Sequence, residues 1–195
     1  MGADGRMVVI SGPSGAGKST VCRRLLEDPR VEFSISATTR GKRQGEVDGR
    51  DYYFLDQEEF RQRVESGDFI EYANVHGNMY GTLREPMRAA LEAGRVYLLE
   101  IDVQGALQIK DQGWPGLYLF IAPPDFEELR RRLVGRGTEA PEVIERRLQK
   151  AEDEYRERVR YDHVIVNDDF ETCLAEVRDL IGLDRDRVGG VEGQP

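Results

Sequence analysis

The sequence predicts an α/β domain, a doubly wound, mostly parallel sheet core with a small mixed α+β lobe inserted into it. Three observations carry that expectation. Apolar strand-like runs alternate with helical patterns along most of the chain. One of those strands runs into a glycine-rich turn and then a helix. Between about residues 33 and 80 the texture changes to short alternating pieces. The size agrees, because 195 residues with 39% hydrophobic content build one core rather than several.

Each element has its own signal. Arg6 to Ile10 is a short β-branched run that ends at Ser11 and Gly12, and Val21, Leu25 and Leu26 then recur at helical spacing. The pieces "FSISATTR", "DYYFL" and "FIEYA" belong to the inserted lobe, with a helix between Asp56 and Ser66. Asp56 with Glu59 reads as its N-terminal cap and Gly67 as its stop. Pro86 sits in the first turn of a helix that Gly94 closes, and "RVYLLEID" follows as a buried strand running into two carboxylates. "LYLFIAPP" is a strand stopped by prolines, and two Arg-rich helical patterns follow over Asp125 to Val159, broken between Gly135 and Pro141. "DHVIVN" is the last strand, and Phe170, Leu174, Val177 and Ile181 mark the core face of a helix starting at Asp168 or Asp169. After Leu183 the tail has too little apolar surface to fold.

Composition excludes several classes. With 28 basic against 37 acidic residues the net charge of -9 repels polyanions, which argues against a nucleic-acid or membrane-surface binder. No run is long enough for a membrane span and the first residues lack a secretory apolar block, so a soluble cytoplasmic protein is expected. Cys22 and Cys173 read as reduced, buried thiols, and His76 and His163 match no zinc spacing.

The glycine turn carries the chemistry. Gly12, Pro13, Ser14, Gly15, Ala16, Gly17, Lys18 and Ser19 satisfy G-x-x-x-x-G-K-[ST], with Thr20 next on the helix. Glycines let backbone N–H groups converge on phosphate oxygens, the helix N-terminus adds a positive dipole end, and Lys18 adds a full charge. Ser19 is placed to ligate a magnesium ion carried by the same phosphates. The turn therefore predicts a nucleoside triphosphate ligand. Parallel-sheet topology puts such a ligand outside the carboxyl ends of the strands, where Glu100, Asp102 and Asn167 also fall.

The segments "SISATTRGKRQGEVDGRDYYF", "FIEY", "GNMYGT" and "LLEIDVQG" strongly resemble guanylate kinases, which transfer the γ-phosphate of ATP to GMP. The resemblance runs from Met7 to about Leu183. It implies a core (5–33, 85–127, 151–183), a GMP-binding lobe (34–84), a helical lid (128–150) and a disordered tail (184–195). It places the GMP phosphate between Arg40, Arg43, Tyr52 and Tyr80, and the guanine against Ser36, Glu71 and Thr82, with Glu100 and Asp102 alongside. Bidentate arginines suit a phosphate. A carboxylate at Glu71 accepts from guanine N1–H and the 2-amino group, whereas adenine would leave it unpaired.

The same resemblance puts Asp102 beside the metal, through water, and Arg136 and Arg147 on the phosphates. Arg130, Arg131, Arg132 and Arg146 read instead as a solvated helix face. Asn167 is the candidate contact for the donor's adenine. Phosphoryl transfer needs alignment and charge neutralisation rather than covalent chemistry, so Lys18, Arg43, Asp102, Arg136 and Arg147, with Mg2+, form the expected catalytic set and no general base is assigned. The expected partners are ATP and GMP only, and the expected state a monomer or weak homo-oligomer. The alternatives are a non-enzymatic guanylate-kinase-like scaffold, which typically loses the intact phosphate loop, and a kinase for another nucleoside monophosphate.

Overall fold

The computed structural model describes residues 5–75, 77–134 and 141–184. In chain order the strands are β1 (Arg6–Ser11), β2 (Val31–Phe33), β3 (Ser36–Thr38), β4 (Tyr53–Phe54), β5 (Phe69–Val75), β6 (Asn78–Leu83), β7 (Val96–Glu100), β8 (Leu117–Ala122) and β9 (His163–Val166). The helices are α1 (Lys18–Leu25), α2 (Gln57–Glu65), α3 (Arg84–Glu92), α4 (Val103–Asp111), α5 (Phe126–Val134), α6 (Pro141–Arg156) and α7 (Phe170–Leu180), with a 3-10 turn at Glu157–Arg160.

Five strands form a wholly parallel sheet in the order β2-β7-β1-β8-β9. Both of its faces are covered, so its central strands β1, β7 and β8 are near-continuous apolar runs instead of alternating with polar residues. β1 shows the division: Val8 and Ile10 enter one cluster with Val21, Leu25, Leu174 and Val177, and Met7 and Val9 enter another with Met87, Val103, Ala106 and Ile109. Helices α1 and α7 thus cover one face and α3 and α4 the other. Each fully buried Val, Leu or Ile contributes about 1.5–3 kcal/mol of transfer free energy, which makes this sheet the rigid frame of the molecule.

The second sheet is mixed, in the order β4-β3-β6-β5, and has its own small core of Ala37, Phe60, Phe69 and Leu83. Phe60 and Phe69 stack with ring centroids 4.5 Å apart. The run from Phe33 to Arg40, read from sequence as one piece, divides between the two sheets. Val31 to Phe33 pair with β7, the Ser34 amide still donates to Leu98 O at 2.9 Å, and Ser36 to Thr38 pair with β6. Alternation along a strand does not record which sheet supplies its partner.

Helix boundaries follow the local chemistry. Asp56 accepts from the Glu59 amide at 2.7 Å, Asp169 accepts from Thr172, and Gly67 and Gly94 take positive φ just past α2 and α3. α3 begins at Arg84, so Pro86 lies in its first turn, where a missing N–H costs little. The break expected between Gly135 and Pro141 falls between α5 and α6, and residues 135–140 lie outside the described set, as do His76 and the tail beyond Asp184. Both cysteines are free and buried. Among the described residues no helix is long and apolar enough to cross a membrane.

Candidate active site

The turn between β1 and α1 is shaped by two glycines that admit no side chain. At Gly12 (φ 136°) a Cβ would run into the Ile121 carbonyl, and at Gly17 (φ 95°) into the Asn167 amide group. Gly17 caps α1 with no side chain and the first turn carries no acidic residue, so the helix's leading N–H groups and its positive end face an incoming anion. Lys18 arches back over the loop and donates to Gly12 O (2.7 Å) and Pro13 O (2.9 Å). Burial lowers its pKa, opposed chiefly by the Glu100 and then the Glu154 carboxylate.

Glu100 reaches this loop because β7 pairs with β1 in parallel, Ile10 opposite Glu100. Its Oε1 accepts from Ser19 Oγ at 2.5 Å. Asp102 follows as the N-cap of α4, one oxygen accepting from the Gly105 amide at 2.8 Å. Glu100, Asp102, Lys18 and Ser19 line one cavity of about 380 Å³ together with Ser14, Gly15, Gly17 and Thr20. Pro13 and Ala16 are buried beneath it. Gly12, Ile101 and two residues on α6, Lys150 and Glu154, complete the lining. Among the described residues no cluster of three His, Cys, Asp or Glu side chains could hold a metal by itself. The Ser19 hydroxyl and the neighbouring carboxylates are nonetheless hard oxygen donors of the kind that magnesium accepts beside phosphates.

The second group of residues lies on the mixed sheet. Ser36 pairs with Thr82 and Thr82 with Glu71, so the three fall in one row across β3, β6 and β5. A bulge between Phe69 and Glu71 shifts the register, letting Ile70 join the main core while Glu71 opposes Thr82. Thr82 Oγ1 donates to Glu71 Oε1 at 2.7 Å, and both residues are buried. Burial pushes the Glu71 carboxyl above the usual carboxylate range, the Thr82 hydrogen bond opposing and the Asp102 charge adding to it.

Beside that row, the Arg40 guanidinium sits 5.3 Å from the centre of the Tyr52 ring, and the Tyr52 and Tyr80 rings meet edge to face at 6.0 Å. Glu46 holds Arg40 through both guanidinium nitrogens (2.7 and 3.1 Å) and accepts the Arg43 amide at 2.8 Å. Glu46 above all, and Tyr80 after it, raise the Arg40 pKa; Arg40 in turn lowers that of Glu46. Thr38 Oγ1 donates to Met79 O and accepts the Arg40 amide, tying the arginine to the sheet. The Arg43 side chain extends into solvent.

The two groups are neighbours. A Cβ at Gly105 would stand 3.4 Å from Asp102 Oδ1 and 3.7 Å from Glu71 Oε2, so a carboxylate of the phosphate cavity and the buried carboxylate of the mixed sheet flank the same backbone. A family model described as "Guanylate kinase" matches residues 4–183. The chain belongs to the guanylate kinase family. It is 46% identical over 184 residues to a guanylate kinase of Symbiobacterium thermophilum, covering 94% of this chain and 87% of that one. It is also 46% identical over 188 residues to a guanylate kinase of Lactococcus lactis, covering 96% and 92%. The crystal structure of guanylate kinase from Anaplasma phagocytophilum superposes with a TM-score of 0.71 at 36% identity, covering 96% of this chain and 89% of that one.

Within this guanylate kinase fold, several residues find partners in segments far along the chain. Asn167, expected at an adenine, is buried, and its amide donates to Ala16 O at 2.8 Å, where it braces the phosphate loop. Arg132, expected on a solvated face, is half-buried, bonds Glu128 at 2.8 Å and donates to Asn167 O at 3.0 Å. Arg130 and Arg131 do pair on the exposed face, with Glu145 and Glu128. Arg147 is half-buried on α6, and Arg136 lies outside the described residues. His163 is exposed at the start of β9. Glu46, Lys150 and Glu154 were missed. Their signal was a carboxylate three residues after Arg43 and an i,i+4 acid–base pair, patterns that solvated surfaces also produce.

Proposed function

We propose that the chain transfers the γ-phosphoryl group of ATP to GMP, giving ADP and GDP, with the triphosphate in the P-loop cavity and GMP on the mixed sheet. The observation that carries this reading is the adjacency of Asp102 and Glu71 across Gly105, which supports a triphosphate site and a purine-reading carboxylate side by side.

The loop amides and the α1 N-terminus bind the donor's phosphates, and Lys18 exchanges its two carbonyl partners for phosphate oxygens. Ser19 and Asp102 would hold Mg2+, which would neutralise charge on the phosphates. Arg40, Arg43, Tyr52 and Tyr80 hold the acceptor phosphate. Glu71, fixed by Thr82 with Ser36 beyond it in the same row, accepts from guanine N1–H and its amino group. Arg136 and Arg147 add positive charge from the lid, residues 128–150. With both phosphates in line, the GMP phosphate oxygen attacks the γ-phosphorus, the bond to the bridging oxygen breaks, and ADP leaves with that electron pair. Closure of lobe and lid excludes water that would otherwise hydrolyse ATP. The lobe has its own small core, which supports its tilting as a body. The free, buried state of Cys22 and Cys173 supports a reducing cytoplasmic setting, and a monomer or weak homo-oligomer is proposed with it.

The test is coupled measurement of ADP release with Mg2+ and ATP against GMP, AMP, CMP and UMP. GMP should turn over fastest by orders of magnitude, and Lys18→Met should abolish transfer while GMP still binds. Equal turnover with AMP would remove the guanine assignment.

A further inference from the structure

The phosphate cavity contains a pair that no phosphate-loop motif includes. Lys150 and Glu154 lie one turn apart on α6, with Nζ 3.4 Å from Oε1, and both line the cavity of Lys18 and Ser19. An ordinary helix-surface ion pair is exposed at both ends, as Arg61 and Glu58 are on α2 at 62% and 58%. Here the acid is half-buried, at 14%, and the lysine is open, at 68%. Glu154 also acts electrostatically on Lys18, and Asp102 on Glu154.

A third carboxylate in that lining is at first sight adverse. Glu100, Asp102 and Glu154 outnumber Lys18 and Lys150, and a triphosphate is itself strongly anionic. A half-buried acid is tolerated there if it anchors a cation that the ligand uses, because the ammonium then reaches phosphate already oriented. The other side of α6 is committed to packing, with Ile144, Leu148 and Ala151 against Leu129 of α5. The seating of α6 on α5 therefore sets where the pair stands over the phosphate loop.

We propose that Lys150 is a further phosphate-contacting cation of the triphosphate site and that Glu154 is the positioning residue that holds it there. This rests on reading the cavity as a triphosphate site.

Steady-state kinetics with Mg2+, ATP and GMP test it. Lys150→Met should lower kcat/KM for ATP about tenfold, the scale of one charge-assisted phosphate contact, and leave KM for GMP within about twofold. Lys150→Arg should recover most of the loss. Glu154→Gln should lose a similar factor, and the double variant no more than the worse single one, because Glu154 acts through Lys150. A merely structural Glu154 would lower thermal stability without this split between substrates. Losses that multiply in the double variant, a Lys150→Met enzyme within about twofold of wild type, or an equal loss for GMP each overturn the proposal. Calorimetric titration with Mg2+ and ATP reads the cavity without turnover. Unchanged ATP affinity in Lys150→Met overturns this inference even where phosphotransfer is intact. Weakened ATP affinity with no wild-type phosphotransfer to GMP supports it and overturns the wider reading.

Discussion

Thr82 Oγ1 donates to Glu71 Oε1 across 2.7 Å inside the mixed sheet, and the two residues oppose each other on neighbouring strands. The hydroxyl occupies one side of the carboxylate and leaves Oε2 toward Gly105. Thr82→Val keeps the shape and removes the donor. A hydrogen bond to a charged group is worth about 1.5–3 kcal/mol, so KM for GMP should rise about tenfold or more while KM for ATP stays unchanged. Kinetics with each substrate varied in turn give the answer, and a parallel rise for ATP would mean that Thr82 serves the fold and not the purine.

The raised pKa of Glu71 makes GMP binding pH-dependent. The folded chain holds this proton more tightly than the unfolded chain does. The stability so contributed is present below the unfolded value and is lost as pH rises through the raised folded value. A guanine read by Glu71 needs the ionised form, so on the proposed function binding should draw the proton off, and affinity should fall as pH is lowered through that same raised value. Calorimetry in buffers of different ionisation enthalpy should detect proton release that Glu71→Gln lacks. The GMP phosphate titrates equally in both proteins, so superimposable profiles would sink the idea.

Glu46 grips Arg40 through both nitrogens and holds the Arg43 amide, which keeps the 40–46 turn in place. Glu46→Gln should raise KM for GMP several-fold, because the loss of orientation outweighs the gain of one unneutralised positive charge. A fall in KM instead would identify Glu46 as a competitor of the phosphate.

Asn167 braces the phosphate loop at Ala16 O, and Arg132 of α5 holds the Asn167 carbonyl. Asn167→Ala leaves a buried carbonyl unpaired and should cost about 1–3 kcal/mol of stability by denaturant unfolding. It should also raise KM for ATP without altering specificity among nucleoside triphosphates. Altered preference between ATP and GTP would instead show direct contact with the base.

The strand–glycine turn–helix unit was legible because its physics is local. Gly12 and Gly17 are demanded by backbone geometry, and Lys18 and Ser19 follow at fixed offsets. Caps such as Asp56 and Asp169 were legible for the same reason, since each satisfies an amide three residues on. The partners of Arg132 and Asn167 were not legible because they lie 35 and 151 residues away, and a side chain's donors do not indicate which backbone they will meet.

Residue order by itself determined the α/β class, the phosphate loop, the alternation of strands with helices and the family. Those are set by neighbours within a turn or a strand, where spacing alone fixes geometry. Tertiary structure decided the row of Ser36, Thr82 and Glu71, the grip of Glu46 on Arg40, the brace at Ala16, and the pair on α6 that faces Lys18. Each depends on register or packing between segments far apart in the chain, and a bulge of one residue at Phe69–Glu71 is enough to change what Glu71 faces.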